Sequence, residues 1–379
     1  MTAIPFNRPL LVGTEADAVA ETLASGELAG GGLRTRACEA WFRAHTGAPL
    51  VLMTPSCTQA LELAALVADI RPGDEVILPS WTFVSTASAF VLRGATPVFV
   101  DICPRTGNID PLQIEAAITE RTRAIVPVHY AGVACDMDMI MAIARRHDLL
   151  VIEDAAQGVM ARWRDRPLGS IGHLGAYSFH ATKNYTSGGE GGLLLVNDER
   201  FAARAEILRE KGTDRRAFQR GDVQRYTWQA TGSSYLPSEV QAACLWAQLQ
   251  QAEPVNRRRR ALWEAYTAAL TGVPGLTLLK PSAEAEHNGH LFAVRLPDAT
   301  IRERVRQSLA DAGVAAHTHY VPLHSAPAGQ KFGRSAGELA HTQAVADTLL
   351  RLPLHYALSD AEQAQVIDAT CRAVNVALN

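Results

Sequence analysis

From residue 50 onward, short apolar runs alternate with segments in which hydrophobic residues recur every three to four positions. The runs have the length of buried strands, and the intervening segments have the period of amphipathic helices. The strand candidates are Leu50–Met53, Glu75–Leu78, Pro97–Val100, Ala124–Val128, Leu149–Ile152, Ala176–Phe179 and Leu193–Val196. The helix candidates between them are Thr58–Ala68, Val84–Leu92, Leu112–Ile118, Met137–Arg146 and Glu199–Lys211. This alternation predicts an α/β fold with a mostly parallel, seven-stranded sheet flanked by helices.

The pattern changes towards both ends of the chain. Two helical segments, Glu15–Ser25 and Thr35–Thr46, precede the first strand, and a polar stretch without a period, Thr213–Tyr226, predicts a loop or lid. A helical segment over residues 237–270 is interrupted near Pro254. The later strand candidates are His290–Leu296 and Ala315–Tyr320, and the later helix candidates are Ile301–Ala312, Glu338–Leu350 and Ser359–Val376. We therefore predict a large domain, 1–254, that includes an N-terminal arm, and a smaller C-terminal α+β domain, 255–379.

Composition narrows the class of protein. Of 379 residues, 47% are hydrophobic and 20% charged, and the net charge of −3 gives no basic surface for nucleic acid or an anionic membrane. No signal peptide and no apolar run of membrane-spanning length is evident. Six cysteines are scattered without CxxC spacing, which indicates reduced thiols rather than a zinc site. These features predict a soluble cytoplasmic protein without nucleic-acid or membrane partners.

Residues that follow the first two strands suit a phosphorylated, planar ligand. Ser56, Cys57 and Thr58 begin a helix, whose free N–H groups and dipole would favour a phosphate. An ordinary helix N-cap would show the same pattern. Trp81 follows the second strand, where its indole would either stack on a flat ring or pack in the core.

Acidic residues and a lysine follow two later strands. Glu153 and Asp154 directly follow an apolar run, where burial is costly without a cationic partner, either a metal ion or a protonated pyridine nitrogen. Gln157 lies close enough in sequence to donate a hydrogen bond to the same ligand. Lys183 follows the sixth strand, among small and hydroxyl residues and ahead of four glycines. Desolvation there would lower the pKa of its amine and favour imine formation, although a surface lysine beside a glycine turn remains an alternative.

Together, these strand-end residues match the needs of one cofactor, pyridoxal 5′-phosphate. A lysine binds the aldehyde as an imine, and a carboxylate keeps the ring nitrogen protonated so that the ring can accept electrons. A helix N-terminus with hydroxyl groups binds the phosphate. The four features occur in one order along one predicted sheet edge, so we predict a pyridoxal phosphate enzyme.

The blocks SCTQAL, PSWTFVSTA, VIEDAAQ and SFHATKNYTSGGEGG resemble the nucleotide-sugar aminotransferases of the DegT/StrS family, which are fold-type-I pyridoxal phosphate enzymes. The resemblance covers nearly the whole chain, in the order and spacing of the family. It implies that Lys183 binds the cofactor and that Asp154 faces the pyridine nitrogen. The other cofactor contacts that it implies are Gln157 at the phenolic oxygen, Trp81 stacked on the ring, and Ser56, Cys57, Thr58 and Ser178 at the phosphate.

Four further blocks, HYAGVACDMD, REKGT, GSSYLPSE and HYVPLH, resemble the subgroup that aminates C4 of dTDP-4-dehydro-6-deoxy-D-glucose. That resemblance implies L-glutamate as amino donor. It also implies dTDP-4-amino-4,6-dideoxy-D-galactose as product, made for cell-surface polysaccharide such as enterobacterial common antigen. The residues expected to line the sugar pocket are His129, Tyr130, Tyr320 and His324. The family forms homodimers, and Ser234 stands where many members have an asparagine that reaches the phosphate of the neighbouring subunit.

Other interpretations stay open at this stage. A different nucleotide-linked keto sugar, with a 3-keto group or a UDP carrier, would suit the general cofactor blocks equally. Related dehydratases carry histidine in place of Lys183, which disfavours that reaction. A pyridoxal phosphate-bound regulatory protein without activity is a further alternative. His317, His319 and His324 are close together, but without nearby carboxylates or cysteines a metal site is not expected.

Overall fold

The computed structural model describes residues 3–379. The strands are β1 (Leu50–Thr54), β2 (Glu75–Pro79), β3 (Thr96–Val100), β4 (Thr122–Ile125), β5 (Leu150–Asp154), β6 (Arg162–Trp163), β7 (Arg166–Pro167), β8 (Leu174–Ser178), β9 (Gly192–Val196), β10 (Thr277–Leu278), β11 (Ala285–Glu286), β12 (Phe292–Arg295), β13 (Arg334–Ser335) and β14 (Leu349–Leu352). The helices are α1 (Glu15–Ser25), α2 (Leu33–Thr46), α3 (Cys57–Val67), α4 (Val84–Val91), α5 (Ile114–Ala117), α6 (Met137–Arg146), α7 (Ala202–Arg209), α8 (Arg215–Arg220), α9 (Glu239–Leu249), α10 (Ala252–Leu270), α11 (Ala299–Asp311), α12 (Pro327–Phe332), α13 (Ala340–Thr348) and α14 (Asp360–Leu378). Short 3₁₀ turns lie at Pro111–Gln113, Tyr130–Gly132, Glu199–Phe201 and Leu323–Ser325.

The central sheet has the strand order β1-β9-β8-β5-β4-β2-β3-β13. Its first seven members are the seven predicted strands, each within a few residues of the predicted bounds. Only β9 runs antiparallel to its neighbours, β1 and β8. The eighth strand, β13, was not predicted; it is two residues long and pairs in parallel with β3. The prediction of an α/β fold with a mostly parallel sheet is confirmed.

Helices cover both faces of this sheet because its strands are apolar on both sides. Along β1, Val51 and Met53 pack into one core with side chains of α2, α6 and α9, whereas Leu52 packs into a second core with α3, α4 and α7. Successive side chains of a strand point to opposite faces, so one short apolar run supplies both cores. The sheet is thereby fixed between two helical layers, and its strand ends are left to form loops.

A smaller antiparallel sheet, β10-β12-β14, packs with α10, α11 and α14 around a third core. The predicted strand at His290–Leu296 is confirmed as β12. The predicted strand at Ala315–Tyr320 is wrong, because only His317 makes an isolated bridge, with Arg351, and Tyr320 adopts a left-handed φ of 42°. The helix predicted to reach Leu350 ends at Thr348, since the apolar residues that follow pair as β14.

The central sheet and the β10-β12-β14 sheet are connected through α9 and α10. The predicted interruption of the long helical segment is present between Leu249 and Ala252, and Pro254 lies in the first turn of α10, where a missing N–H costs no helical hydrogen bond. In α10, Val255 packs into the core of the large sheet and Leu262 into that of the small sheet. A domain division after residue 254 stays a prediction. No helix within residues 3–379 is long and apolar enough to cross a membrane.

Candidate active site

A cavity of about 540 Å³ opens where the carboxyl ends of β1, β5 and β8 meet residues of the smaller sheet. Ligands of doubly wound sheets bind at this edge, because the strand-end loops and helix N-termini converge there. Nine of the residues singled out from the sequence line the cavity: Ser56, Cys57, Thr58, His129, Asp154, Gln157, Ser178, Lys183 and Tyr320. The fold therefore brings together most of the predicted site.

One side of the cavity is formed by the start of α3, and we call its first turn, Ser56–Thr58, the anion seat because free N–H groups at a helix N-terminus suit an anion. Ser56 caps the helix by accepting a hydrogen bond from Gln59 N at 3.2 Å. The N–H groups of Cys57 and Thr58, in the first turn, have no partner inside the helix. Thr58 Oγ1 lies 2.7 Å from Ser85 Oγ, a cavity residue that the sequence reasoning missed although it lies in the PSWTFVSTA block.

The glycines after Lys183 let the chain approach this seat closely. A Cβ atom at Gly192 would lie 2.3 Å from the carbonyl carbon and oxygen of Ser56 and 2.4 Å from Cys57 N. No side chain fits at that separation, so β9 can begin beneath the first turn of α3 only with glycine at this position. Gly188 and Gly189 have φ angles of 73° and 121°, which turn the chain sharply between Lys183 and β9.

The amine of Lys183 faces the cavity. Burial lowers the pKa of Lys183, the positive charge of Arg351 lowers it further, and the negative charge of Asp154 opposes the shift. Cys57 would also oppose it as a thiolate, but burial raises the pKa of that thiol well above its usual value and keeps it neutral. Among the described residues no carboxylate lies within ion-pair distance of the amine, so its lone pair is more available than that of a surface lysine.

The two adjacent acids of β5 lie on opposite faces of the sheet. Glu153 is fully buried and accepts hydrogen bonds from the N–H groups of Gly169, Ile171 and Gly172, at 2.6–2.8 Å. It also lies 2.8 Å from Nε2 of His129. These contacts satisfy Glu153 completely, so it has a structural role.

Asp154 faces the cavity and is 5% exposed. Its carboxylate accepts a hydrogen bond from Thr86 Oγ1 at 2.6 Å and another from Ala156 N at 3.1 Å. Within residues 3–379 no lysine, arginine or histidine makes an ion pair with it. Burying a carboxylate without a cation is costly, so Asp154 suits a ligand that brings a positive charge, such as a protonated ring nitrogen.

Gln157 and Tyr320 form a hydrogen-bonded pair across the cavity wall. Ala131 N donates to Gln157 Oε1 at 2.6 Å, and Gln157 Nε2 donates to the Tyr320 hydroxyl at 3.2 Å. Both ends of the amide are thereby fixed. His129, by contrast, is held by Glu153 on one nitrogen and by Cys135 N, 3.2 Å from the other, so its ring is fully engaged within the protein.

Four predicted site residues, Trp81, Tyr130, His324 and Ser234, do not line this cavity. Trp81 is fully buried and meets Tyr130 and Tyr320 edge-on, with ring centroids 5.8 and 5.5 Å apart. Thr82 and Phe83 line the wall at this strand end, and stacking of Trp81 on a ligand stays a prediction.

The same holds for two of the predicted sugar contacts. The hydroxyl of Tyr130 lies 2.9 Å from Nδ1 of His319, and Nδ1 of His324 lies 2.8 Å from Ser80 Oγ. Both side chains are engaged behind the wall. Ser234 is exposed outside the cavity, where its backbone forms an isolated antiparallel β-bridge with the backbone of Glu210.

Sequence reasoning missed several lining residues, chiefly Phe6, His290 and Arg351, whereas His319, considered with His317 and His324, does line the cavity. Burial and the nearby Arg351 lower the pKa of His319 to about 2, and burial lowers that of His290 well below its usual value, so both rings are neutral. His290 Nδ1 lies 2.8 Å from Asn184 Oδ1. No local pattern in the sequence singled out Phe6, His290 or Arg351. Among the described residues no three histidine, cysteine or acidic side chains are grouped to hold a metal ion.

Comparison with known proteins agrees with this geometry. Spore coat polysaccharide biosynthesis protein SpsC of Bacillus subtilis is 36% identical over 97% of this chain and 96% of its own length. S. venezuelae DesV, solved in complex with a ketimine intermediate, superposes with a TM-score of 0.91 at 34% identity over the whole of both chains. Streptococcus pneumoniae Spr1654, solved in its PLP-form, gives a TM-score of 0.91 at 28% identity, also over the whole of both chains.

The family model for the DegT/DnrJ/EryC1/StrS aminotransferases matches residues 10–370. At this level the predictions of an aminotransferase, of its pyridoxal phosphate dependence and of its fold class are confirmed. The match includes every strand and most of the cavity wall, and we conclude that this chain belongs to the DegT/DnrJ/EryC1/StrS aminotransferase family.

Proposed function

We propose that this protein transfers the amino group of L-glutamate to C4 of dTDP-4-dehydro-6-deoxy-D-glucose, giving dTDP-4-amino-4,6-dideoxy-D-galactose for cell-surface polysaccharide. The observation that carries the proposal is the placement of Lys183, with a lowered amine pKa, in one cavity with the unpaired Asp154 and the anion seat of α3. An amine, a carboxylate and a phosphate site in one enclosure suit transamination better than binding alone.

The residues present fit pyridoxal phosphate. The bound cofactor supplies an electron sink that stabilises a carbanion next to the transferred nitrogen. Lys183 Nζ would bind its aldehyde carbon and move a proton, and the carboxylate of Asp154 would face the ring nitrogen. The N–H groups of Cys57 and Thr58, with the hydroxyls of Ser178 and Ser85, hold the phosphate. Gln157, fixed by Ala131 and Tyr320, orients the ring.

The choice of sugar rests on the blocks HYAGVACDMD, GSSYLPSE and HYVPLH. Two of them contribute to this wall: the first includes His129 and the last includes His319 and Tyr320. Tyr130 and His324 hold the wall from behind, and so determine the shape of the pocket without touching its contents. The polysaccharide role printed in the name of SpsC is consistent with a nucleotide-sugar substrate. Regiochemistry depends on which sugar carbon the wall holds near Lys183.

A homodimer with shared active sites is part of the proposal. Ser234 lies outside the cavity of its own chain and is exposed, as expected of a residue that reaches a partner's phosphate site. The nearby segment 215–228 exposes Phe218, Tyr226 and Trp228, the last at 77%. Exposed aromatic side chains of this size favour an interface between protein chains.

We place the enzyme in the cytoplasm. All six cysteines are free thiols, and three of them, Cys38, Cys57 and Cys135, are buried. A protein with this many unpaired thiols suits a reducing compartment, where nucleotide-sugar synthesis also takes place.

The proposal is tested with the purified, cofactor-loaded protein. L-glutamate should bleach its visible absorbance, and addition of the 4-keto sugar should restore it with a galacto-configured amine at C4, identified by NMR. Lys183→Ala should lack both the covalently bound absorbance and turnover. Amination at C3, a gluco-configured amine or a preference for UDP sugars would contradict the substrate assignment. A protein that binds the cofactor but never reacts with glutamate would point to a regulatory role.

A further inference from the structure

The carboxylate of Asp154 is held by the first turn of α4. Thr86, the third residue of α4, is fully buried, and its Oγ1 donates a hydrogen bond to Asp154 Oδ2 at 2.6 Å. The other oxygen, Oδ1, accepts a hydrogen bond from Ala156 N at 3.1 Å. Among the described residues no other side chain donates to this carboxylate. The orientation of the Asp154 carboxylate therefore depends on Thr86 more than on any other side chain.

The hydrogen bonds around Thr86 have a fixed direction. A hydroxyl group has one hydrogen to donate and an ionised carboxylate only accepts, so the hydrogen of Thr86 is committed to Asp154. Thr82 Oγ1 lies 2.7 Å from Thr86 Oγ1 and must then be the donor of that hydrogen bond. Both threonines are almost completely buried. Consecutive hydrogen bonds of this kind polarise one another, which strengthens the bond from Thr86 to the carboxylate.

The residue before Thr86 contacts another part of the proposed cofactor site. Ser85 lines the cavity, and its Oγ lies 2.7 Å from Thr58 Oγ1 in the anion seat. The turn that carries Ser85 and Thr86 is closed by a hydrogen bond from Thr86 N to Phe83 O at 3.2 Å. Because the phosphate and the ring nitrogen are different parts of pyridoxal phosphate, adjacent residues of one helical turn contact the groups that would hold both parts.

We propose that the first turn of α4 sets the position of the Asp154 carboxylate relative to the anion seat, with Thr86 as the positioning residue for Asp154. The inference rests on the proposed function and adds to it the group that aims Asp154 at the ring nitrogen. Thr86 is not among the residues that line the cavity, so it acts through Asp154. Without this donor the carboxylate is free to turn away from the cavity. The part of the cofactor affinity that depends on the ring nitrogen therefore depends on Thr86.

The first test measures cofactor binding to the cofactor-free protein by fluorescence titration. Two probes are compared, pyridoxal phosphate and 1-deazapyridoxal phosphate, in which a carbon atom replaces the ring nitrogen. The wild type should bind pyridoxal phosphate about 30-fold more tightly than the analogue, because only the ring nitrogen pairs with a carboxylate. Thr86→Val keeps the shape of the side chain without its hydroxyl and should lower this preference about tenfold, since a hydrogen bond to a charged group is lost. Thr86→Ser keeps the hydroxyl and should keep the preference.

Thr342→Val is the matched control for the loss of a buried hydroxyl group. Thr342 is also fully buried, and its Oγ1 donates to another buried carboxylate, Asp101 Oδ1, at 2.7 Å, outside the cavity. In urea unfolding this variant should lose a similar amount of stability to Thr86→Val. Its preference between the two probes should equal that of the wild type, which separates positioning of Asp154 from a general cost to the fold.

A double-mutant cycle tests whether Thr86 acts through Asp154. In an Asp154→Ala background, Thr86→Val should change the dissociation constant for pyridoxal phosphate less than about twofold, because no carboxylate remains to be positioned. Thr82→Val should lower the probe preference of the wild type about threefold, since it removes only the supporting hydrogen bond. In a Thr86→Val background the same change should have no effect on the preference.

Several outcomes would overturn this role of Thr86. An unchanged probe preference in folded Thr86→Val, an equal loss of preference in Thr342→Val, or additive effects of Thr86→Val and Asp154→Ala would each do so. If Thr86→Val does not fold, the smaller Thr86→Ala is measured instead, and wild-type preference in that variant would contradict the role. A wild type that prefers pyridoxal phosphate through Thr86 but never aminates the sugar would refute the proposed function alone.

Discussion

At the scale of single residues, the site depends on how two adjacent carboxylates are divided between the faces of β5. Glu153 is satisfied by three backbone N–H groups and His129, whereas Asp154 has two neutral donors and no cation among the described residues. Strand alternation puts one acid into a structural network and the other into the cavity. The negative charge of Asp154 is therefore available to a ligand.

We expect Asp154→Asn to fold normally and to lower turnover by about 100-fold or more, because a neutral amide no longer keeps the ring nitrogen protonated. Steady-state kinetics and thermal unfolding are measured on the same preparation. Asp101→Asn is the control, since Asp101 is also a buried carboxylate but binds Thr342 and lies outside the cavity. Near-wild-type turnover in folded Asp154→Asn would remove Asp154 from the chemistry.

At the scale of secondary-structure elements, the anion seat exists because β9 begins directly beneath the first turn of α3. The hydrogen-bond donors come from α3, but their position depends on a neighbouring strand without a side chain at Gly192. Glycine there is a requirement of packing between two elements and not of backbone conformation, since its φ is not in the left-handed region.

Gly192→Ala should force the first turn of α3 away from β9, at a cost of about 1–3 kcal/mol in the free energy of unfolding. Because the displaced turn carries the phosphate seat, the dissociation constant for pyridoxal phosphate should rise at least tenfold, as measured by fluorescence titration of the cofactor-free protein. Gly158→Ala is the control, as its Cβ would meet no atom closer than 3.2 Å. Unchanged cofactor affinity in Gly192→Ala would show that the seat tolerates displacement.

A second inter-element contact links β2 to the short edge strand β13. Glu75, fully buried on β2, accepts hydrogen bonds from Arg334 at 2.7 Å, Arg121 at 2.6 Å and Thr119 at 2.8 Å. The hydrogen bonds from Arg334 are the main cause of a fall in the pKa of Glu75 from 4.5 to about 2. The ionised carboxylate thus holds the edge of the sheet together.

This pKa gives the stability a defined pH dependence. Since the folded pKa is below the unfolded value, the stabilisation is complete above pH 4.5 and is lost as the pH falls towards 2. At neutral pH it is on the order of 3 kcal/mol, because each pKa unit corresponds to about 1.4 kcal/mol. The free energy of unfolding, measured with urea at several pH values, should lack this acid-dependent contribution in Glu75→Gln. Glu303→Gln removes only an exposed ion pair and should show the same pH dependence as the wild type.

At the scale of the whole molecule, the proposed dimer makes a test of shared active sites possible. Ser234→Asp would place a negative charge next to the partner's phosphate seat and should abolish activity by repulsion. When this variant is mixed with Lys183→Ala under conditions of subunit exchange, about a quarter of wild-type activity should return, because half of the dimers are mixed and each has one intact site. An active monomer in sedimentation, or no recovery on mixing, would contradict shared sites.

The sequence by itself was enough to predict the seven main strands, the helices between them and the residues at the anion seat, Asp154 and Lys183. These signals are local: apolar runs, helical periods, a capping serine and a glycine turn each lie within a few neighbouring residues. The carboxyl ends of parallel strands must meet at one edge, so residues that follow different strands could be assigned to one site before the tertiary structure was known.

Only the tertiary structure decided which side chains form the rest of the wall. Phe6, His290 and Arg351 come from distant parts of the chain and carry no local signal, whereas Trp81 follows a predicted strand but packs edge-on against Tyr130 and Tyr320 and does not line the cavity. The segment predicted as a strand at Ala315–Tyr320 instead turns towards the cavity wall, where His319 lies within hydrogen-bond distance of Tyr130 and Tyr320 accepts a hydrogen bond from Gln157. Strand order and helix period follow from neighbouring residues, but the wall of a cavity between two sheets depends on contacts between residues hundreds of positions apart.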